Sequence, residues 1–131
     1  MIIRPAQIKD IPQCQELQRK YLPDADGSVW NRLWPLVIEH GFARVAECDG
    51  KIIGYSAGEK LLRGAMAWHQ IVDKNYRNRG IGTQLMDALE DAFRDAGIPY
   101  YIGYARPNMV EYHKKRGADI GEQYVEILKK L

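Results

Sequence analysis

Residues 77–82 read Arg-Asn-Arg-Gly-Ile-Gly, and their neighbours restrict what this stretch can be. Before it, WHQIV (Trp68–Val72) has the β-branched and aromatic content of a buried strand. After it, IGTQLMDALEDAFRDAG repeats apolar residues at spacings of three and four, the mark of an amphipathic helix. In a strand, glycine turn and helix, the first backbone N–H groups of the helix point outward without intrahelical partners and carry the positive end of its dipole. That is an anion site. Gly80 and Gly82, lacking a β-carbon, allow a phosphate to approach the backbone closely. Arg77 and Arg79 can add charge-assisted hydrogen bonds.

The rest of the chain reads as alternating sheet and helix. MIIR suits a short strand, and Asp10 with Gln13 three places on forms a capping box for a helix whose stripe is Ile11, Cys14, Leu17 and Tyr21. LPDADGS breaks that period. Ser28 can cap a second helix with Trp30, Leu33, Trp34, Val37 and Ile38 on one face, split or kinked at Pro35 and ended by Gly41. From Phe42 the period becomes two, and Asp49-Gly50 between β-rich runs predicts a hairpin of FARVAEC with KIIGYSAGEK. AMAWHQIV follows as a third antiparallel strand, and the glycine-turn helix buries Ile81, Leu85, Leu89, Ala92, Phe93 and Ala96 before Gly97 and Pro99 stop it. YYIGY is then a strand. Asn108 and Glu111 form another capping box for a short helix ending at Gly117, and QYVEIL is predicted as the last strand.

With 131 residues the chain is long enough for one core and too short for two, so a single domain over residues 1–131 is expected. No stretch is apolar for long enough to cross a bilayer. The amino terminus lacks a basic segment followed by an apolar core and cleavage site, which makes a cytoplasmic location the expectation. Cys14 and Cys48 are too few for a disulfide framework or a thiolate metal site, and both read as buried thiols. The net charge of +2 gives little ground for nucleic acid. The run Lys114-Lys115-Arg116 could attract phosphate, but no base-reading element accompanies it.

Among phosphate-binding turns, the P-loop is excluded because no Gly-Lys-Ser/Thr follows, and the dinucleotide fingerprint fails for want of its third glycine and a parallel βαβ context. IVDKNYRNRGIGTQLMDAL instead resembles the cofactor motif of the GNAT acyl-CoA-dependent N-acyltransferases, Arg/Gln-x-x-Gly-x-Gly/Ala after a strand, which falls on Arg77, Gly80 and Gly82. The element order resembles that family along nearly the whole chain. The resemblance implies an α/β fold with a mixed, mostly antiparallel twisted sheet flanked by helices, and acetyl-CoA as the acyl donor, with no metal. It implies that the backbone of Arg79, Gly80, Ile81, Gly82 and Thr83, with Arg77 and Asn78, holds the pyrophosphate. It also implies that Ile71, Val72 and Asn108 lie along the pantetheine arm, where the strand before the glycines splays from the next parallel strand.

Aminolysis of a thioester needs a neutral amine, a positioned carbonyl and a proton for the departing thiolate. The glutamate common on this strand in the resembled family is missing between Arg63 and Asp73, so His69 is the titratable group available as base, with Glu59 the nearest carboxylate on the preceding strand. Simple alternation puts Trp68, Gln70 and Val72 on one side and Ala67, His69 and Ile71 on the other. In the family a tyrosine four residues before a glycine acts as acid. Here His113 stands four before Gly117 and Tyr112 five, an offset of about 100° around a helix. His113, Tyr112 or neither is then the donor.

The acceptor would be a primary amine, of a peptide, a lysine side chain, a polyamine or an antibiotic, received by the first two helices and their loop. Asp24, Asp26, Glu39, Trp30 and Trp34 could hold a cation there, or pack and solvate as ordinary core and surface. The competing reading is a catalytically silent acyl-CoA-binding module that kept the phosphate site and lost the acid. A homodimer stays open.

Overall fold

The protein is described by a computed structural model over residues 1–23, 30–125 and 127–131. Five strands, β1 (Ile2–Pro5), β2 (Phe42–Cys48), β3 (Lys51–Lys60), β4 (Ala65–Val72) and β5 (Tyr101–Gly103), form one sheet in the order β1-β2-β3-β4-β5. Pairing is antiparallel except between β4 and β5, which are parallel, as the crossover through a helix requires. The helices are α1 (Ile11–Tyr21), α2 (Trp34–His40), α3 (Ile81–Asp95) and α4 (Val110–Lys115). The fold is thus α/β with a mixed, mostly antiparallel sheet.

The two faces of the sheet are covered by different layers. Along β3, Tyr55 and Ala57 pack with Leu17, Trp30, Trp34 and Val37 beneath α1 and α2. Ser56, pointing the other way, donates its hydroxyl to the Leu85 carbonyl of α3 at 2.8 Å, and Phe93 packs with Met86, Leu89 and Ala65 on that same side. The α3 stripe follows its period, with Leu85 and Leu89 fully buried. Ala96, just past the helix, is exposed.

Several expectations change in their details. Asp10 does not cap α1. It is nearly buried and takes a bidentate pair from Arg4 at 2.8 and 2.9 Å plus the Gln7 N–H at 2.7 Å, while Gln13 accepts from the Ile52 N–H of β3. The Arg4 bonds hold its carboxyl below the usual aspartate range. The segment around Pro35 is split as expected: residues 30–31 are helical, a turn follows at 32–33, and Pro35 sits in the first turn of α2, where a proline needs no N–H. Leu33 turns outward. The proposed cap Ser28 lies outside the described residues. Of the two cysteines only Cys14 is buried, its thiol pushed up to about 12 by desolvation; Cys48 is half-buried.

The predicted last strand is not formed. Residues 118–131 carry no regular structure where described, and Tyr124, Val125 and Ile127 are exposed. Strand propensity is a preference for a half-buried pleated surface, and β5, three residues long, presents little of one.

Candidate functional site

β4 pairs with β5 only through Ala65, Met66 and Ala67, and then continues as Trp68–Val72 without it. That unpaired stretch is where the resemblance placed the opening for the pantetheine arm. Where the strands part, β4 also carries a bulge: Ala57 pairs with His69 and the next β3 residue, Gly58, pairs with Ala67, so Trp68 is the extra residue. The bulge overturns simple alternation. Ala67 packs toward Phe93 and α3, whereas Trp68 and His69 both face the α1–α2 layer, and Gln70 and Val72 return to the α3 side.

His69 is buried in an aromatic layer. Its ring lies 4.6 Å from that of Trp30, and Nδ1 is 3.3 Å from the Tyr55 hydroxyl, whose own ionisation is pushed up by burial. Trp34 is fully buried, edge-on to Trp30 and Tyr55, and donates its indole N–H to Gln18. The two tryptophans are core. Glu39 is exposed beside His40, and Glu59 is exposed near the far end of β3. Asp24 and Asp26 lie outside the described residues.

The glycine turn leaves β4 through Asp73, which caps a 3-10 turn (Lys74–Tyr76) by accepting the Asn75 N–H; this bond, with Lys20 nearby, holds its carboxyl low. Asn78 and Gly80 have positive φ, 63° and 77°. A β-carbon at Gly80 would meet nothing within 4 Å, so this glycine serves backbone conformation and leaves the approach to the helix open. The first α3 bond runs from the Gln84 N–H to the Gly80 carbonyl, which leaves the N–H groups of Ile81, Gly82 and Thr83 without acceptors in the helix. Ile81 itself is buried, so only its backbone is available there. Arg77 donates Nε to the Val72 carbonyl at 2.9 Å and lies 4.9 Å over the Tyr21 ring, tying the end of β4 to α1; Arg79 lies over Tyr76.

Asn108 is not the cap of α4. Pro107 starts a 3-10 turn that already contains Asn108, and α4 begins at Val110 behind Met109, with no side-chain cap bond. Asn108 is exposed. From α4, Tyr112 reaches back to the glycine-turn helix: its hydroxyl is 2.9 Å from Thr83 Oγ1 and 3.5 Å from Gln70 Nε2 of β4. His113 takes no such bond. Burial, and secondarily the Arg116 guanidinium, lower its pKa below the ordinary histidine value. Arg116 is itself held by Asp87 and Glu90 of α3 at 2.8 and 3.0 Å, which docks α4. Gln70 escaped the sequence reading; the signal available was a polar amide within the apolar run WHQIV.

The acetyltransferase (GNAT) family matches residues 11–118, most of the chain and the whole of this site. The chain belongs to that family. Solved structures with the same fold include the aminoglycoside N-acetyltransferase AAC(6')-Iy in complex with a bisubstrate analogue, CoA-S-monomethyl-acetylneamine, at TM-score 0.81 and 16% identity, covering 99% of this chain and 98% of that one. The aminoglycoside 6'-N-acetyltransferase AAC(6')-IG from Acinetobacter haemolyticus superposes at TM-score 0.76 and 19% identity, with coverage of 100% and 99%. A ribosomal-protein-alanine N-acetyltransferase from Brucella melitensis gives TM-score 0.72 at 19% identity, with 98% of each chain covered. No curated protein matches the chain in sequence. Among the described residues no group of three or more His, Cys, Asp or Glu is placed to hold a metal ion, and no helix is long and apolar enough to cross a membrane.

Proposed function

We propose that this GNAT protein is an N-acetyltransferase that moves the acetyl group of acetyl-CoA directly to a primary amine, with Tyr112 as the acid. The observation that carries the reading is the position of the Tyr112 phenol, held at 2.9 Å from Thr83 on the helix of the glycine turn. The fit to acetyl-CoA rests on that turn, with an open approach at Gly80, and on β4 beyond Ala67, released from β5. In this reading the N–H groups of Ile81, Gly82 and Thr83 bind pyrophosphate oxygens, and the β4 segment with Ile71 and Val72 borders the pantetheine arm.

A neutral amine attacks the thioester carbon, a C–N bond forms, and the C–S bond breaks. Tyr112 gives its proton to the departing sulfur, and the phenolate regains one from solvent, which receives the proton shed by the amine nitrogen. His113 is a weaker candidate, because burial and the Arg116 guanidinium disfavour its protonated, proton-donating form. His69 belongs in this account to the aromatic core. The acceptor approaches from the α1–α2 side, and the aminoglycoside-acetylating neighbours motivate polycationic amines as first substrates.

The test is turnover of acetyl-CoA by the purified protein with an aminoglycoside, a polyamine, a lysine peptide and a free-amino-terminal peptide. Released CoA is trapped by a disulfide reagent and the product identified by mass spectrometry. N-acetylated product is expected with at least one amine. Tight acetyl-CoA binding by calorimetry, with no CoA released above hydrolysis by any amine, would replace this reading with a silent acyl-CoA-binding module.

A further inference from the structure

We infer that Thr83 and Gln70 are positioning residues for the Tyr112 phenol, and that Gly82 lacks a side chain partly to let Gln70 reach it. The inference rests on the reading of Tyr112 as the acid. Tyr112 sits on a six-residue helix, too short to be rigid by itself, and a phenol that must meet one sulfur atom needs its oxygen held from outside the helix.

Two side chains from two other elements converge on that oxygen. Thr83 Oγ1, on the first turn of α3, is 2.9 Å away, and its β-branched side chain has little rotamer freedom. Gln70 Nε2, on β4, is 3.5 Å away on the half-buried α3 side of the strand. An amide nitrogen can only donate, whereas a threonine hydroxyl can accept from the neutral phenol and turn to donate to the phenolate. Both groups therefore favour the phenolate left when the proton moves to sulfur, the moment at which a donor does most for the rate.

Gly82 completes the arrangement. A β-carbon there would stand 2.6 Å from Gln70 Nε2. The far end of a flexible side chain would yield first, so Gly82→Ala would push the amide off the phenol while leaving the turn at Gly80 intact. The second glycine of the motif thus serves the acid as well as the phosphate.

The experiment compares Thr83→Val, Thr83→Ser, Gln70→Met and Tyr112→Phe for kcat, for KM of acetyl-CoA and for the alkaline limb of the kcat profile, with circular dichroism and melting as fold controls. Thr83→Val and Gln70→Met should each lower kcat about tenfold, as for loss of one hydrogen bond to a charged group, with KM within about threefold. Both should move the alkaline limb to higher pH, since the phenolate loses a donor. Thr83→Ser, which keeps the hydroxyl but not the β-branch, should recover most of the rate and limb lost in Thr83→Val. A wild-type rate in Tyr112→Phe would sink the acid assignment itself. A large loss in Tyr112→Phe, with wild-type kcat and limb in both Thr83→Val and Gln70→Met, would overturn the positioning roles alone. So would a raised KM at unchanged kcat, which would assign the two side chains to cofactor binding.

Discussion

The two faces of β4 around its bulge place two titratable side chains in opposite surroundings. On the α1–α2 side His69 is buried against Trp30 and Tyr55, with the full weight of the aromatic core around it. On the α3 side Tyr112 is half-buried, arriving from a different helix and meeting β4 at Gln70. A group that must exchange a proton with a reacting atom needs access as well as suitable chemistry. The α3 side provides it, at the mouth of the glycine turn. The more obvious histidine instead has the burial of a packing residue.

The largest expected effect that tests this contrast is Tyr112→Phe, which should lower kcat by about 10² or more at an unchanged melting temperature, because general acid catalysis is typically worth 10²- to 10⁴-fold. Steady-state kinetics with saturating acetyl-CoA reads it. Next comes Gly80→Asp. Aspartate tolerates the left-handed backbone of this position, so the fold should survive, but its charge faces the approach to the α3 N-terminus. Acetyl-CoA affinity should drop by about tenfold or more, measured by calorimetry. Unchanged affinity would reduce the glycines to a turn and remove the functional side of the comparison.

His69→Phe comes third, and it divides the two faces most sharply. The substitution keeps an aromatic ring against Trp30 and removes the contact with the Tyr55 hydroxyl, so it should cost about 1 kcal/mol of stability by denaturant titration and leave kcat within about threefold. A loss of kcat beyond about tenfold in a stable variant would make His69 a participant and erase the contrast.

The smallest effect belongs to His113. His113→Gln should leave kcat within about twofold. Because the folded state lowers the imidazole pKa, the unfolded chain binds the proton more readily, and the wild type loses stability as pH falls below about 6.5. The variant should be spared that loss, a difference within about 1 kcal/mol for a partly solvated group, read from urea titrations at pH 7 and pH 5. A wild type that instead gains stability relative to the variant on acidification would contradict the lowered pKa and return His113 to contention as a cationic donor.

Local patterns carried most of the fold. The pairing of FARVAEC with KIIGYSAGEK, the Asp49-Gly50 turn and the apolar stripe of α3 as far as Phe93 each follow from interactions within a few residues and stand as read, apart from a bulge at Ile53 that interrupts the period of two. The glycine turn belongs with them, because N–H groups at a helix start and the positive φ of Gly80 are properties of a short backbone stretch. What escaped was decided between elements. Asp10 has the spacing of a cap, yet Arg4 claims it from β1; Asn108 looks like a cap until Pro107 turns the chain early; QYVEIL has strand composition, yet where described it forms no strand, and the edge strand β5 is only three residues long. The bulge at Trp68 put Ala67 on the face opposite His69 and Trp68 on the same face as it, since a single inserted residue shifts a period of two by half. The sequence by itself determined the acetyltransferase fold and the glycine turn. Only the tertiary structure brought Tyr112, Thr83 and Gln70 to one point, because they come from three elements up to 42 positions apart and no local period relates their directions.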